Sequence, residues 1–319
     1  MLRVLCTLCF CAALTMHAHA ATPADFPARP IRLIVSGTGG AGDFAGRLIA
    51  GDLTVRLGQQ VVVDNRPGGV TPGEILAKAQ PDGHTLMMVG FVVWLAPFMR
   101  DALAYDPVRD FTPVTLAISS PNVLVVHPSL RVKSVQELIA LAKQKPGALN
   151  YAASGIGNSN HIAGEIFKSM AGVNIVRVNY RGASFALTDV ASGRVELMFA
   201  TANASQPHVT AGRLVALGVT SARPSALAPG LPTVASAGLP GYECAATIGI
   251  LARGGTPGPV VNLLNREVVR YLNTPEAKER LFKAGIEAVG NTPAEFAAII
   301  RDDMTRKGRV IREAGIRME

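Results

Sequence analysis

The chain has 319 residues, enough for two domains with buried cores, and 49% hydrophobic against 17% charged residues excludes a disordered or coiled-coil protein. Aromatic residues make up 5%, with a single Trp, too few for a base-stacking nucleic-acid surface. The net charge is +8 and the isoelectric point about 9.6, but Lys and Arg are dispersed, the densest cluster being Arg306, Lys307 and Arg309, so general anion attraction is expected and no nucleic-acid partner.

Residues 1–20 are expected to lie outside the fold. Arg3 forms a short positive n-region, Val4 to Thr15 is apolar, and Ala18 and Ala20 place small residues at the −3 and −1 positions of a cleavage site. The apolar run is shorter than the ~20 residues a spanning helix needs. No twin Arg or lipoprotein Cys context accompanies it. The expectation is a signal peptide cleaved after Ala20, with release into the periplasm. Its removal takes Arg3, leaving +7, and takes Cys6, Cys9 and Cys11, leaving Cys244 alone without a disulfide partner. Cys244 is expected to be a small buried hydrophobe.

Strands and helices then alternate. Ile31 to Val35 is a β-branched strand, Asp43 to Leu57 has helical spacing ended by Gly58, and Gln60 to Val63 is the next strand. Residues 73–79 are predicted helical and Thr85 to Val89 a third strand. Leu124 to Val126 precedes a helix over 134–143, opened by a capping box of Ser134 and Glu137. Asn150 to Ala153 precedes a helix around 161–171, and Val176 to Asn179 precedes one over 184–192. Glu196 to Ala200 and Leu214 to Thr220 are further strands. Pro257, Pro275 and Pro293 open helices reaching Asn273, Ala284 and about Gly308. This pattern predicts an α/β protein with mostly parallel sheets. The segments 107–128 and 238–255 read as extended and could join lobes. They divide the chain into lobe one, residues 21–120 plus 243–319, and an inserted lobe two, residues 121–242. The interface between such lobes is a natural ligand cleft.

The turn after the first strand holds Gly37, Gly39 and Gly42 in G-x-G-x-x-G spacing, with Asp64 at the end of the next strand. That is the dinucleotide fingerprint and supports an exported NAD-dependent oxidoreductase as an alternative. Against it, Asp43 sits at the first helical turn, where a carboxylate repels phosphate. The same loop suits a smaller anion, because free N–H groups at a helix start carry partial positive charge. A second Gly-rich loop, Ser154 to His161, and a polar turn, Tyr180-Arg181-Gly182, also stand between strand and helix. No G-x-S-x-G nucleophile elbow occurs, and His84, His127, His161 and His208 have no metal-ligand spacing. Neither catalysis nor a cofactor or metal is expected.

Motifs along nearly the whole mature chain make it similar to the Bug-type periplasmic solute-binding receptors of tripartite tricarboxylate transporters. They include Arg29-Pro30-Ile31-Arg32, Gly39-Gly40 with Asp43, Asp64-Asn65-Arg66-Pro67-Gly68, and Pro81 to Leu86. Tyr105 to Phe111, Ser154 to Gly157 with His161, Tyr180 to Gly182, Leu231-Pro232-Thr233, Ala237 to Tyr242 and Gly255-Thr256-Pro257 complete them. The resemblance implies a two-lobed Venus-flytrap fold of type II that closes on a small organic carboxylate and delivers it to membrane permease subunits, as a monomer. Signalling to a membrane sensor protein is the alternative output. The resemblance also implies that Gly39, Gly40 and Asp43 face ligand from lobe one. Ser154, Gly157, Asn158, Ser159, His161, Tyr180, Arg181 and Gly182 would face it from lobe two. Asp43 would bind ligand or cap its helix, and His161 would touch ligand or brace the loop. The first loop departs from the family in lacking the Pro and aromatic residue before its glycines. After the third strand, apolar Phe91 and Trp94 replace hydroxyl residues, so one of them is expected to line the pocket.

Overall fold

A computed structural model of the protein describes residues 26–67 and 69–318. The expected leader, its cleavage site and Cys6, Cys9 and Cys11 lie outside the described residues. One sheet uses β1 (Ile31–Ser36), β2 (Val61–Arg66), β3 (Thr85–Gly90), β4 (Phe111–Ser120), β10 (Ala246–Arg253) and β11 (Glu287–Ala288). The other uses β5 (Asn122–Val126), β6 (Asn150–Ser154), β7 (Val176–Tyr180), β8 (Leu197–Thr201) and β9 (Val215–Val219). The first sheet is interleaved with α1 (Ala41–Leu57), α2 (Thr71–Leu76), α3 (Val92–Leu95), α8 (Gly258–Leu272) and α9 (Pro275–Lys283). The second is interleaved with α4 (Val135–Gln144), α5 (Ser159–Ala171), α6 (Ala183–Ala191) and α7 (Ala202–Thr210), and α10 (Pro293–Glu313) ends the chain.

The two sheets repeat one plan. Their orders are β11-β4-β10-β3-β1-β2 and β7-β6-β8-β5-β9. In each, a trio of parallel strands is followed by an antiparallel strand that is the first laid down after the chain crosses from the other sheet. The two-lobed α/β architecture is as expected, but the sheets are mixed. Among the described residues, five of the nine strand pairings are antiparallel. The reason lies in the two segments read as extended joiners, which are the strands β4, β5 and β10 themselves. Pro113 hid β4, because Pro lacks the ladder N–H; it pairs with Leu251 beside a register shift.

Burial follows strand position. β5 is buried at every residue, as befits a strand with neighbours on both sides and helices on both faces, whereas the edge strand β7 is largely exposed. The helix over 134–143 begins with Ser134 accepting the Glu137 N–H at 3.1 Å, but the predicted capping box does not close, because the Glu137 carboxylate takes the Lys133 N–H at 2.7 Å instead. The last helix, expected to end near Gly308, runs on to Glu313. Gly308 is there for close approach: a Cβ would stand 2.7 Å from the Phe98 ring. One apolar cluster runs through both sheets, joining Ile34, Val89 and Trp94 to Leu124, Tyr151, Phe199 and Tyr242.

Candidate functional site

In parallel strands all carboxyl ends lie at one edge. Since β1 pairs in parallel with β2 and β3, and β6 with β7 and β8, each sheet presents one such edge. A cavity of about 350 Å³ is walled by Gly39, Gly40, Ala41 and Phe44 after β1, and by Thr201 and Asn203 after β8. Ser120 and residues 284–286 complete it. The two carboxyl edges therefore face one another across a cleft, where α/β sheets ordinarily take their ligands.

The helices that start at these edges share a property. α1, α5, α6 and α7 begin at Gly40, Asn158, Gly182 and Thr201, and none of these residues makes a side-chain cap bond. Of the helices that start elsewhere, α4, α9 and α10 are capped by Ser134, Thr274 and Thr292, while α8, preceded by Pro257, is not. A helix start without a cap leaves free N–H groups and a partial positive charge for an anion. Two such starts, those of α1 and α7, meet at the cavity from opposite sheets.

Gly37 and Gly39 hold left-handed φ values of 68° and 74°, which give the first loop its sharp path. Asp43 braces it from beneath. Its carboxylate accepts the Gly39 N–H and the Asn65 amide, both at 2.9 Å, and pairs with Arg47 at 3.0 Å. The Gly39 N–H first, then Asn65, hold its pKa below the ordinary aspartate value, against the opposing effect of burial. Asp64, the ribose acid of the fingerprint, is engaged by Arg32 Nε at 2.7 Å and by Arg66 at 3.0 Å. No free carboxylate is thus presented to a ribose by that strand end.

The second loop is held in the same way. Ser154 Oγ accepts from the Asn160 amide at 2.7 Å, the Asn158 amide donates to the Ser154 carbonyl, and the Gly157 N–H donates to His161 Nδ1 at 3.1 Å. His161 is 1% exposed, and burial, reinforced by Arg177, pushes its pKa down to about 4, so it stands neutral in the loop's foundation. Asn158 is the first residue before α5 and Ser159 its first turn, with the Ser159 carbonyl 3.8 Å from Cys244 Sγ. Cys244 is fully buried, and burial raises its thiol to about 12. Tyr180 turns its hydroxyl onto Asp189 at 2.9 Å, while Arg181 is exposed and Gly182 precedes α6.

Gly39 and Gly40 are the predicted residues that line the cavity directly. Asp43 holds the first loop, whereas the predicted residues of lobe two do not line this cavity: Ser154, Asn158 and His161 hold the second loop, and Gly157, Ser159, Tyr180, Arg181 and Gly182 stand at its strand-to-helix joints. Phe91 and Trp94 are a correction. They are 3% and 1% exposed and pack beneath α10, with Lys307 Nζ 5.0 Å from the Phe91 ring centroid and Trp94 Nε1 donating to Asp303 at 3.0 Å. The apolar run after β3 belongs to the core. Phe44, Ser120, Thr201, Asn203 and residues 284–286 were missed. Thr201 and Asn203 follow a predicted strand as the other loops do, but no glycine marks them.

The receptor family of tripartite tricarboxylate transporters, TctC, matches residues 45–316. A protein encoded in the tcbD-tcbE intergenic region of Pseudomonas sp. strain P51 is 37% identical over 90% of this chain and 87% of its own. BugT of Bordetella pertussis is 32% identical over 92% of each chain. Among solved structures, Rpa4515 of R. palustris with adipate is 36% identical at a TM-score of 0.75, covering 92% of this chain and 99% of the other. MatC of Rhodopseudomonas palustris with bound malate is 28% identical at a TM-score of 0.73, covering 90% and 100%. With its paired sheets and facing loops, the chain belongs to the tripartite tricarboxylate transporter receptor family of Bug-type solute-binding proteins.

Proposed function

We propose that the protein captures a small organic carboxylate between residues 21–120 plus 243–319 on one side and 121–242 on the other. It would release that ligand to permease subunits of a tripartite membrane transporter. The observation that carries this reading is the meeting of two uncapped helix starts, Gly40–Ala41 and Thr201–Ala202, at one interlobe cavity. Two helix starts facing each other, that of α1 with its Asp43 carboxylate turned back onto Gly39, Asn65 and Arg47, suit a ligand with a carboxylate at each end. Adipate and malate, carried by the two related R. palustris structures, have that form. Gly39 and Gly40 would give backbone N–H groups from lobe one, and Thr201 and Asn203 would give polar side chains from lobe two. Asp43 acts as a positioning residue. The site binds without chemistry, and the receptor works as a periplasmic monomer once residues 1–20 are removed.

The test is thermal unfolding of residues 21–319, first unfolded and refolded to strip any carried ligand, against mono-, di- and tricarboxylates, amino acids and NAD. A ligand at about 100 times its dissociation constant stabilises by ~2.7 kcal/mol, a shift of several degrees. A dicarboxylate that shifts the transition, and shifts it less in a Thr201→Val variant, supports the reading. A shift with NAD and with no carboxylate overturns it.

A further inference from the structure

A second cavity, about 370 Å³, lies on the α5–β7 side of lobe two, lined by Ile156, His161, Glu165, Lys168, Arg177 and the 314–317 segment. It shares no lining residue with the interlobe cavity. Its charged walls are Lys168, Arg177 and Arg317 against one carboxylate, Glu165. That carboxylate is already engaged, accepting from Tyr151 Oη at 2.6 Å and Lys168 Nζ at 2.9 Å. Arg317 meets exposed Asp101 at 2.7 Å. The last carbonyls of α10, next to the cavity, accept the N–H groups of residues 314–316. Among the described residues Arg177 has no carboxylate within 4.0 Å. Its Nη1 instead lies 2.6 Å from His161 Nε2.

That contact is chemically incomplete. Burial keeps His161 neutral, and a neutral imidazole has one N–H and one accepting lone pair. The Gly157 N–H faces Nδ1, while Arg177 Nη1, 2.6 Å from Nε2 and 3.4 Å from Nδ1, stands to the side of the ring and out of line with the Nε2 lone pair. In either tautomer one ring N–H lacks an acceptor among the described residues: an Nδ1–H would meet the Gly157 N–H, and an Nε2–H has none. When Nδ1 accepts from Gly157, the buried Nε2–H is left at the cavity wall beside the exposed Arg177. One anionic oxygen centre in the cavity would accept from both, with Lys168 adding charge and the guanidinium able to bind two oxygens side by side.

We infer that this cavity is a second site, for a small oxyanion held by Arg177, His161 Nε2–H and Lys168. Occupancy selects the tautomer in which His161 Nδ1 holds the Gly157 N–H, so the site steadies the loop ahead of α5. The inference rests on this face alone and is independent of the ligand assigned to the interlobe cavity.

The test is nuclear magnetic resonance of isotopically labelled residues 21–319 titrated with sodium phosphate or sodium acetate, with sodium chloride at equal ionic strength as control. Saturable shifts of the His161 ring nitrogens toward the Nε2–H form, together with the Gly157 amide, are expected with phosphate, with acetate or with both; which anion saturates first separates a phosphate from a carboxylate ligand. Arg177→Gln, a change at an exposed edge-strand position, should weaken that binding at least about ten-fold, and Lys168→Gln should weaken it less. Shifts reproduced by chloride, the absence of saturable shifts with either anion, or unchanged binding in folded Arg177→Gln would overturn the proposal.

Discussion

Replacing Asp43 by Ala removes the acceptor on which the first loop turns. The Gly39 N–H and the Asn65 amide each lose a bond to a charged oxygen, about 1–1.5 kcal/mol apiece, while the half-exposed Arg47 pair adds little. The expected loss is ~2–3 kcal/mol, which at about 2 °C per kcal/mol for a chain of this size lowers Tm by roughly 5 °C. Asp43→Asn keeps one accepting oxygen and should lose about half as much. The pH dependence follows from the depressed pKa of the native carboxylate. Its contribution is fully present above the ordinary aspartate value of 3.8 and is lost as pH falls below it toward the lower native value. Parent and variant should therefore differ at pH 7 and draw together as pH falls below 3.8 in chemical unfolding. An Asp43→Ala protein as stable as the parent at pH 7, yet unable to bind a carboxylate that the parent binds, would put Asp43 on the ligand and refute the bracing role.

Two further outcomes follow from neighbouring features. Phe44 lines the interlobe cavity and is 37% exposed, so Phe44→Ala should weaken ligands with a hydrocarbon body by about ten-fold in calorimetric titration, and short acids far less. Asp303 pairs with buried Lys307 at 2.6 Å and accepts from Trp94, so Asp303→Ala strands a charge and should cost about 3–5 kcal/mol in urea unfolding. A second change, Lys307→Met, should recover most of that loss; a single variant with parental stability would show that the pair contributes nothing.

The alternation of strands and helices, the helix starts at Ser134, Pro275 and Pro293, and the two Gly-rich turns were legible because each is a local signal within a few residues. β4 and β10 were not, since their partners lie about 130 residues apart in sequence and Pro113 masks the first of them. The mixed direction of the sheets was hidden with them. At the site, Gly39 and Gly40 were readable from the loop, but Thr201 and Asn203 carry no glycine to set them apart. The direction of a carboxylate was equally illegible: Asp43 turns back onto Gly39 and Asn65, which no spacing rule specifies. Phe91 and Trp94 failed for a different reason. An apolar run at a strand end fits a pocket wall or a core equally well, and only the arrival of α10, some 200 residues later, decides between them.

The shared strand order has a consequence for how the molecule is put together. β4 has two neighbours, β10 and β11, and both are encoded beyond residue 245. During synthesis β4 therefore emerges with both flanks open and stays so while the whole of β5 to β9 is made. The second sheet draws every strand from one uninterrupted stretch, residues 122–219, and is complete first. The first sheet is closed late, when β10 enters between β3 and β4. Loop-closure entropy weighs against that long-range insertion. Until it occurs, the ribosome-proximal half of the chain is what an unpaired, β-branched edge must wait for, and that interval is when a chaperone holding β4 would matter most.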